Sequence, residues 1–154
     1  IEVRIRRLNT TIRQLCRDNE HCRRLLDVPG VGELTATAMV AAVPNPKEFK
    51  NGRHLSAWLG LVPRQSSSGD KRVLLGISKR GDRYLRTLLI HGARSVLSRS
   101  KSVDTPYSHW VSNRRGSLSH NKAAVALANK NARIIWAILN TGEDFNPGMQ
   151  STAA

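Results

Sequence analysis

Acidic residues are scarce in this chain, eleven Asp and Glu among 154 residues. Glu33, Asp70, Asp82 and Asp104 are scattered with no spacing that commits them to one site. A metal-dependent nuclease centre needs clustered carboxylates, so no metal ligands and no cofactor are assigned to this chain. Cysteine is almost absent as well. Cys16 and Cys22 lie six positions apart with no further Cys to join them, which supports neither a zinc site nor a disulfide framework. No apolar run reaches ~18 residues and no signal-peptide pattern is present, so the expectation is a cytoplasmic protein that is not inserted in a membrane. There is no initiator Met, and Ile1 falls in mid-pattern. The chain therefore reads as part of a longer protein.

What is abundant is positive charge. Twenty-five Lys and Arg give a formal net charge of +14 and a pI near 11.2. Such an excess points to a polyanionic partner, nucleic acid first of all, although a basic protein with no specific target has the same composition. Arg outnumbers Lys, which favours bidentate phosphate contacts over diffuse attraction.

The charge gathers around one stretch, Trp58 to Arg86. Ser66, Ser67 and Ser68 precede Gly69 in a segment too polar to be buried, and Arg64, Lys71, Arg72, Lys79, Arg80, Arg83 and Arg86 surround them. Only Asp70 and Asp82 oppose those cations within the stretch. A hydroxyl cluster on a flexible loop, ringed by cations and followed by a glycine, suits holding or attacking a phosphodiester. A solvated polar turn with ordinary surface cations is the plainer alternative.

Before this stretch, Ile1, Ile5, Leu8, Ile12, Leu15, Asn19, Cys22 and Leu26 follow a 4-3-4-3 spacing. That predicts a polar helix with a narrow heptad seam, a coiled-coil helix over 1–25 in which Asn19 fixes register or oligomer number and a second helix, from another protomer or from an upstream part of the protein, supplies the partner. A single helix docked on its own domain is the alternative, although such a helix usually carries a wider stripe. Pro29-Gly30-Val31-Gly32 then separates two apolar-periodic helices in the helix-hairpin-helix manner. Gly30 and Gly32 permit the turn, and the following helix start, with Thr35, can receive a phosphate or serve packing alone. A short helix beginning near Gly52 carries Leu55 and Leu59, with Trp58 read as a core residue that could otherwise stack on a base. Val73 to Ile77 is a strand or an extended segment. Asp82 caps a helix running to about Arg99, with Leu85, Leu88, Leu89 and Val96 on its buried side and His91 read as packing. A short helix around Pro106, Tyr107 and Trp110 precedes a last helix from His120 to Leu139, on which Lys122, Lys130 and Arg133 can face solvent or DNA. The remainder, 141–154, is rich in Gly, Pro, Ser and Thr and reads as a flexible tail.

The run Gly-Leu-Val-Pro-Arg-Gln-x-Ser-Ser-Gly-x-Lys, followed by Leu-Gly-Ile-Ser-Lys-Arg-Gly-Asp-Arg-Tyr-Leu-Arg-Thr-Leu-Leu-Ile-His-Gly-Ala-Arg, resembles the C-terminal domain of a bacterial transposase group. That group is insertion-sequence family one-ten with its eleven-eleven branch, similar to the Piv DNA invertase. The likeness extends from about Leu26 to Asn140. The family's usual Gly-Gly after the serines is Gly69-Asp70 here, and Ser66 adds a third serine at its variable position.

The resemblance implies a mainly α fold: an N-terminal coiled-coil connector, then a helical domain over 26–140 with a helix-hairpin-helix motif and a serine-bearing loop. It implies an upstream ribonuclease-H-like domain whose Asp-Glu-Asp-Asp tetrad takes magnesium, and it makes Ser68 the catalytic serine, with Ser67 second. DNA is the implied substrate and a structured guide RNA the implied partner. Two functions follow. One is the catalytic, DNA-binding part of a transposase acting through a phosphoserine intermediate. The other is a non-enzymatic helix-hairpin-helix binding module or an inactive remnant.

Overall fold

The computed structural model describes residues 1–68, 71–99 and 103–148, with backbone alone for 65–68 and 71–74. Gly69 and Asp70 lie outside the described residues. The architecture is mainly helical, as the sequence predicts: α1 (Glu2–Asp18), α2 (Glu20–Leu25), α3 (Glu33–Ala42), α4 (Gly52–Trp58), β1 (Pro63–Ser68), β2 (Lys71–Ile77), α5 (Arg83–Ser98), α6 (Pro106–Ser117) and α7 (His120–Thr141).

The long first helix is interrupted. Asn19 takes an extended conformation (φ −107°, ψ 117°), and its Oδ1 accepts from Cys22 N at 3.0 Å. Asn is a good cap because its short side chain satisfies a free N–H at the new helix start. Asn19 is thus the N-cap of α2, not a seam residue inside one continuous helix over 1–25. Cys16 and Cys22, either side of the break, are buried in the core, and burial raises both thiol pKa values, that of Cys22 to about 11. The earlier part of the stripe stays outside: Ile1, Ile5, Leu8 and Leu15 are exposed.

α7 is the centre of the domain. Ala123, Ala124, Leu127, Ala128, Ala132 and Ile135 line its buried side, and α2, α4, α5 and α6 all pack on it. The alanines let neighbouring backbones come close, while Leu127 and Ile135, with Leu55, Leu59, Leu61 and Leu89 from other elements, supply the apolar burial. Each such side chain contributes about 1.5–3 kcal/mol when fully removed from water. α5 begins as predicted, with Asp82 Oδ1 accepting from Leu85 N at 2.9 Å. Its buried stripe is Leu85, Leu89, Ala93 and Leu97, and His91 lies on its exposed side.

Two expectations about burial are overturned. Trp58 is 40% exposed rather than core, its indole edge-on to Phe49 at 5.6 Å between centroids. The start of the expected tail is docked rather than loose. Phe145 meets Tyr107 edge-on at 5.6 Å, Tyr107 N donates to Pro147 O at 3.1 Å, and Asp144 pairs with Arg24 at 3.4 Å. Among the described residues no helix is long and apolar enough to cross a membrane.

Candidate nucleic-acid site at the serine hairpin

The three serines stand on β1 of an antiparallel hairpin instead of on an irregular loop. Val73, Leu74, Leu75 and Ile77, read as strand or extended, belong to β2. The backbone register sets Ser66 opposite Val73, Ser67 opposite Arg72 and Ser68 opposite Lys71, with an irregularity between Pro63 and Gln65. The serines therefore occupy the end of β1 nearest the turn, with two basic residues facing them in the pairing.

The hairpin's base is built rigidly. Ser78 N donates to Val62 O at 2.9 Å and Lys79 N to Gly60 O at 3.1 Å. Lys79 itself has φ +55°, a left-handed conformation uncommon outside glycine. Gly60 and Gly81, at φ +73° and +90°, let the end of α4 and the approach to α5 touch backbone to backbone: a Cβ on Gly81 would overlap Trp58 O, and one on Gly60 would overlap Arg80 O. From below, Asn129 on α7 donates Nδ2 to Leu61 O at 3.1 Å.

Arg86 completes this clamp. It is 8% exposed, and its guanidinium donates to Leu59 O at 3.1 Å and Arg80 O at 3.4 Å. Sequence reasoning placed it among the phosphate-binding cations, but its N–H groups satisfy carbonyls left free where α4 ends and before α5 begins. It positions the hairpin and does not face a ligand. Arg64, Lys79, Arg80 and Arg83 are exposed, and none is paired with a carboxylate among the described residues. The Asp82 carboxylate is engaged as a helix cap and leaves those cations uncompensated. Tyr84, 56% exposed beside Arg83, was not picked out from the sequence. Only its neighbouring cations could have drawn attention to it. Lys71 and Arg72 are placed by backbone register alone.

The turn between α2 and α3 is less free than the sequence reading requires. Gly30 (φ +88°) packs so tightly on α5 that a Cβ would fall 2.7 Å from Gly92 O, and Asn131 Nδ2 donates to Pro29 O at 2.9 Å. Gly30 is thus a packing residue. Thr35 is 7% exposed and faces the interior, so it is not a surface contact. Gly32, the N-cap of α3, is open, with nothing within 4 Å of a Cβ. The first turn of α3, however, carries Glu33, whose charge opposes a phosphate there.

Among the described residues no three His, Cys, Asp or Glu side chains come together in a way that could hold a metal ion. The magnesium implied by the resemblance belongs to an upstream domain and not to these acids, and no step here is routed through a metal.

Residues 22–108 match the family described as Transposase IS116/IS110/IS902 family. The chain belongs to that family. Over 140 residues this transposase chain is 51% identical to the transposase for insertion sequence element IS1111A of Coxiella burnetii, covering 89% of the chain and 38% of the relative. It is 46% identical over 148 residues to a probable family 20 transposase of Pseudomonas aeruginosa, covering 96% and 44%. It is 40% identical over 129 residues to the transposase for insertion sequence element IS1328 of Yersinia enterocolitica, covering 84% and 39%. The transposase chain thus spans about two fifths of the length of these curated relatives.

Proposed function

We propose that this chain is the DNA-binding and nucleophile-bearing part of a transposase that recombines DNA through a serine. The observation that carries the reading is the serine hairpin itself: Ser67 and Ser68 paired in register with Arg72 and Lys71, on a clamped base flanked by four exposed cations. In the proposed step the Ser68 hydroxyl loses its proton, and its oxygen attacks a DNA phosphorus. The P–O bond to one strand end breaks, and the departing oxygen takes up a proton. The other end is held as a phosphoserine ester. A hydroxyl of a new strand reverses the step, so bond energy is conserved and no external energy source is required. Arg64, Lys71, Arg72, Lys79, Arg80 and Arg83 neutralise the phosphate. Ser67 is the second candidate nucleophile. Magnesium bound by an upstream carboxylate tetrad and a guide RNA that selects the DNA site are the proposed partners of the longer protein.

The chain is expected to bind duplex DNA without sequence preference and with a steep salt dependence. About five phosphate contacts give a slope of roughly −4 to −5 for log K against log salt. Fluorescence anisotropy over a salt series measures it, and a slope near zero removes the nucleic-acid reading.

We also propose that α1 pairs with α1 of a second copy. The support is the exposed stripe of Ile1, Ile5, Leu8 and Leu15 on a helix that otherwise carries mostly Arg, Gln and Thr. Leu8→Lys with Leu15→Lys places charges in that seam and is expected to weaken self-association by more than ~100-fold. Sedimentation equilibrium reads the change. A wild-type chain that stays monomeric at every concentration rules out pairing through α1.

A further inference from the structure

Away from the hairpin, four cations from three helices gather without a carboxylate among them. Lys130 on α7 is 6% exposed, with Nζ 4.8 Å from the centroid of the Trp110 ring. The Arg114 guanidinium, one turn beyond Trp110 on α6, stands 5.2 Å from the same ring. Arg133 follows Lys130 by one turn of α7, and its Nε is buried with no hydrogen-bond partner. Arg53 extends the row from the start of α4, where helix contact is so close that a Cβ on Gly52 would lie 2.9 Å from Arg133 Cα. Among the described residues none of the four is within ion-pair distance of an acid.

The sequence reading left Lys130 and Arg133 facing solvent or DNA; the structure draws them partly inside. Burial lowers the pKa of Lys130, and the like charges of Arg133 and Arg114 lower it further. Burial does the same to Arg133, with Arg53 adding to it. Holding like charges together out of water disfavours the fold unless an anion joins them.

We propose that Arg53, Arg114 and Arg133, over the buried charge of Lys130, form a second anchoring point for the phosphodiester backbone of a nucleic acid, separate from the serine hairpin. The inference rests on the nucleic-acid reading above. A row drawn from three helices matches the repeated charges of a backbone better than a single small anion. Trp110 acts as its floor: the ring is engaged by two cations and holds them in place, so it does not serve as a base-stacking platform on those faces. Asn129, the neighbour of Lys130, holds Leu61 O at the hairpin base. Consecutive residues on a helix point about 100° apart, so α7 supports the hairpin with one face and the cation row with the next.

The test uses the 154-residue chain with labelled short duplex DNA and, separately, labelled single-stranded RNA, titrated over a salt series. Arg114→Gln, Arg133→Gln and Arg53→Gln are each expected to lower affinity roughly three- to ten-fold. Each should also reduce the salt slope by about 0.9 on the duplex or about 0.7 on the single strand. A loss confined to one nucleic acid identifies which backbone occupies the row. Thermal unfolding is expected to show Lys130→Met at least as stable as wild type, because an unpaired buried charge has gone. If Arg133→Gln fails to fold, the exposed Arg53→Gln and Arg114→Gln decide. Were wild type to bind neither probe, the nucleic-acid reading itself would fall. Should wild type bind with a steep slope while all three variants keep both affinity and slope, only this inference is overturned. Lys130 then merely lays its stem along Trp110.

Discussion

Gly92→Ala is expected to destabilise the fold severely. Replacing a mid-helix glycine by alanine ordinarily stabilises by about 0.5–1 kcal/mol, because glycine loses more backbone freedom. At this position the sign reverses. α5 crosses the α2–α3 turn at Gly92, where a new Cβ would overlap the carbonyl of Gly30. That carbonyl cannot swing aside: Gly30 is itself at φ +88°, and the turn is tied to α7 through the bond from Asn131 to Pro29 O. Relief requires separating α5 from the turn, which opens the layer containing Val28, Val31 and Leu89. Overpacking costs of this kind run to about 1–3 kcal/mol where the core can adjust, and more where backbone meets backbone. Against a total stability of about 5–15 kcal/mol, a loss at or beyond the top of the overpacking range removes a large part of the margin. Thermal unfolding should show it, with Gly116→Ala as the control. Gly116 lies on α6 with nothing within 4 Å of a Cβ, and helix propensity there predicts a small gain. Equal behaviour of the two variants would mean that the close approach of α5 to the turn is wrong.

The same contact shows where sequence reasoning ends. Pro-Gly-Val-Gly announces a turn, and a turn is present. Whether its glycines face a ligand or another helix depends on Gly92, far away in the chain, and no local pattern carries that information. Arg86 is a parallel case. It sits in an arginine-rich run with Arg83, and both read as phosphate contacts. The difference arises only when α4 ends beside α5 and leaves the Leu59 carbonyl for Arg86 to satisfy. Asn19 misleads for another reason, because a seam Asn and a capping Asn look alike within an unbroken apolar period. Local signals fared better. The Asp82 cap and the apolar stripe after it yielded α5, and the alanine-rich pattern from His120 yielded the central helix. The size and apolarity of Trp58 suggest the core, whereas the end of α4 meets the solvent beside the hairpin base.

The serine hairpin supplies the largest functional prediction. Restored to a full-length protein with magnesium and guide RNA, the chain is expected to form a covalent protein–DNA adduct that survives denaturant, mapping by mass spectrometry to Ser68. Ser68→Ala should abolish the adduct, a loss of several orders of magnitude in rate, because it removes the oxygen assigned to the attack. DNA binding should change less than about two-fold, since one hydroxyl adds little to an affinity dominated by phosphate charge. Ser67→Ala should slow the reaction without stopping it, through altered hairpin geometry or a lost hydrogen bond. Arg86→Met gives a different signature. The loss of two carbonyl partners leaves the base of the hairpin unsatisfied, so adduct formation should fall while the salt slope of DNA binding is unchanged, as expected for a buried positioning residue. An adduct that survives in Ser68→Ala and disappears in Ser67→Ala moves the nucleophile by one residue. An adduct that survives single substitution at Ser66, Ser67 and Ser68 alike means that the hairpin only holds phosphate, and that another part of the longer protein supplies the attacking group.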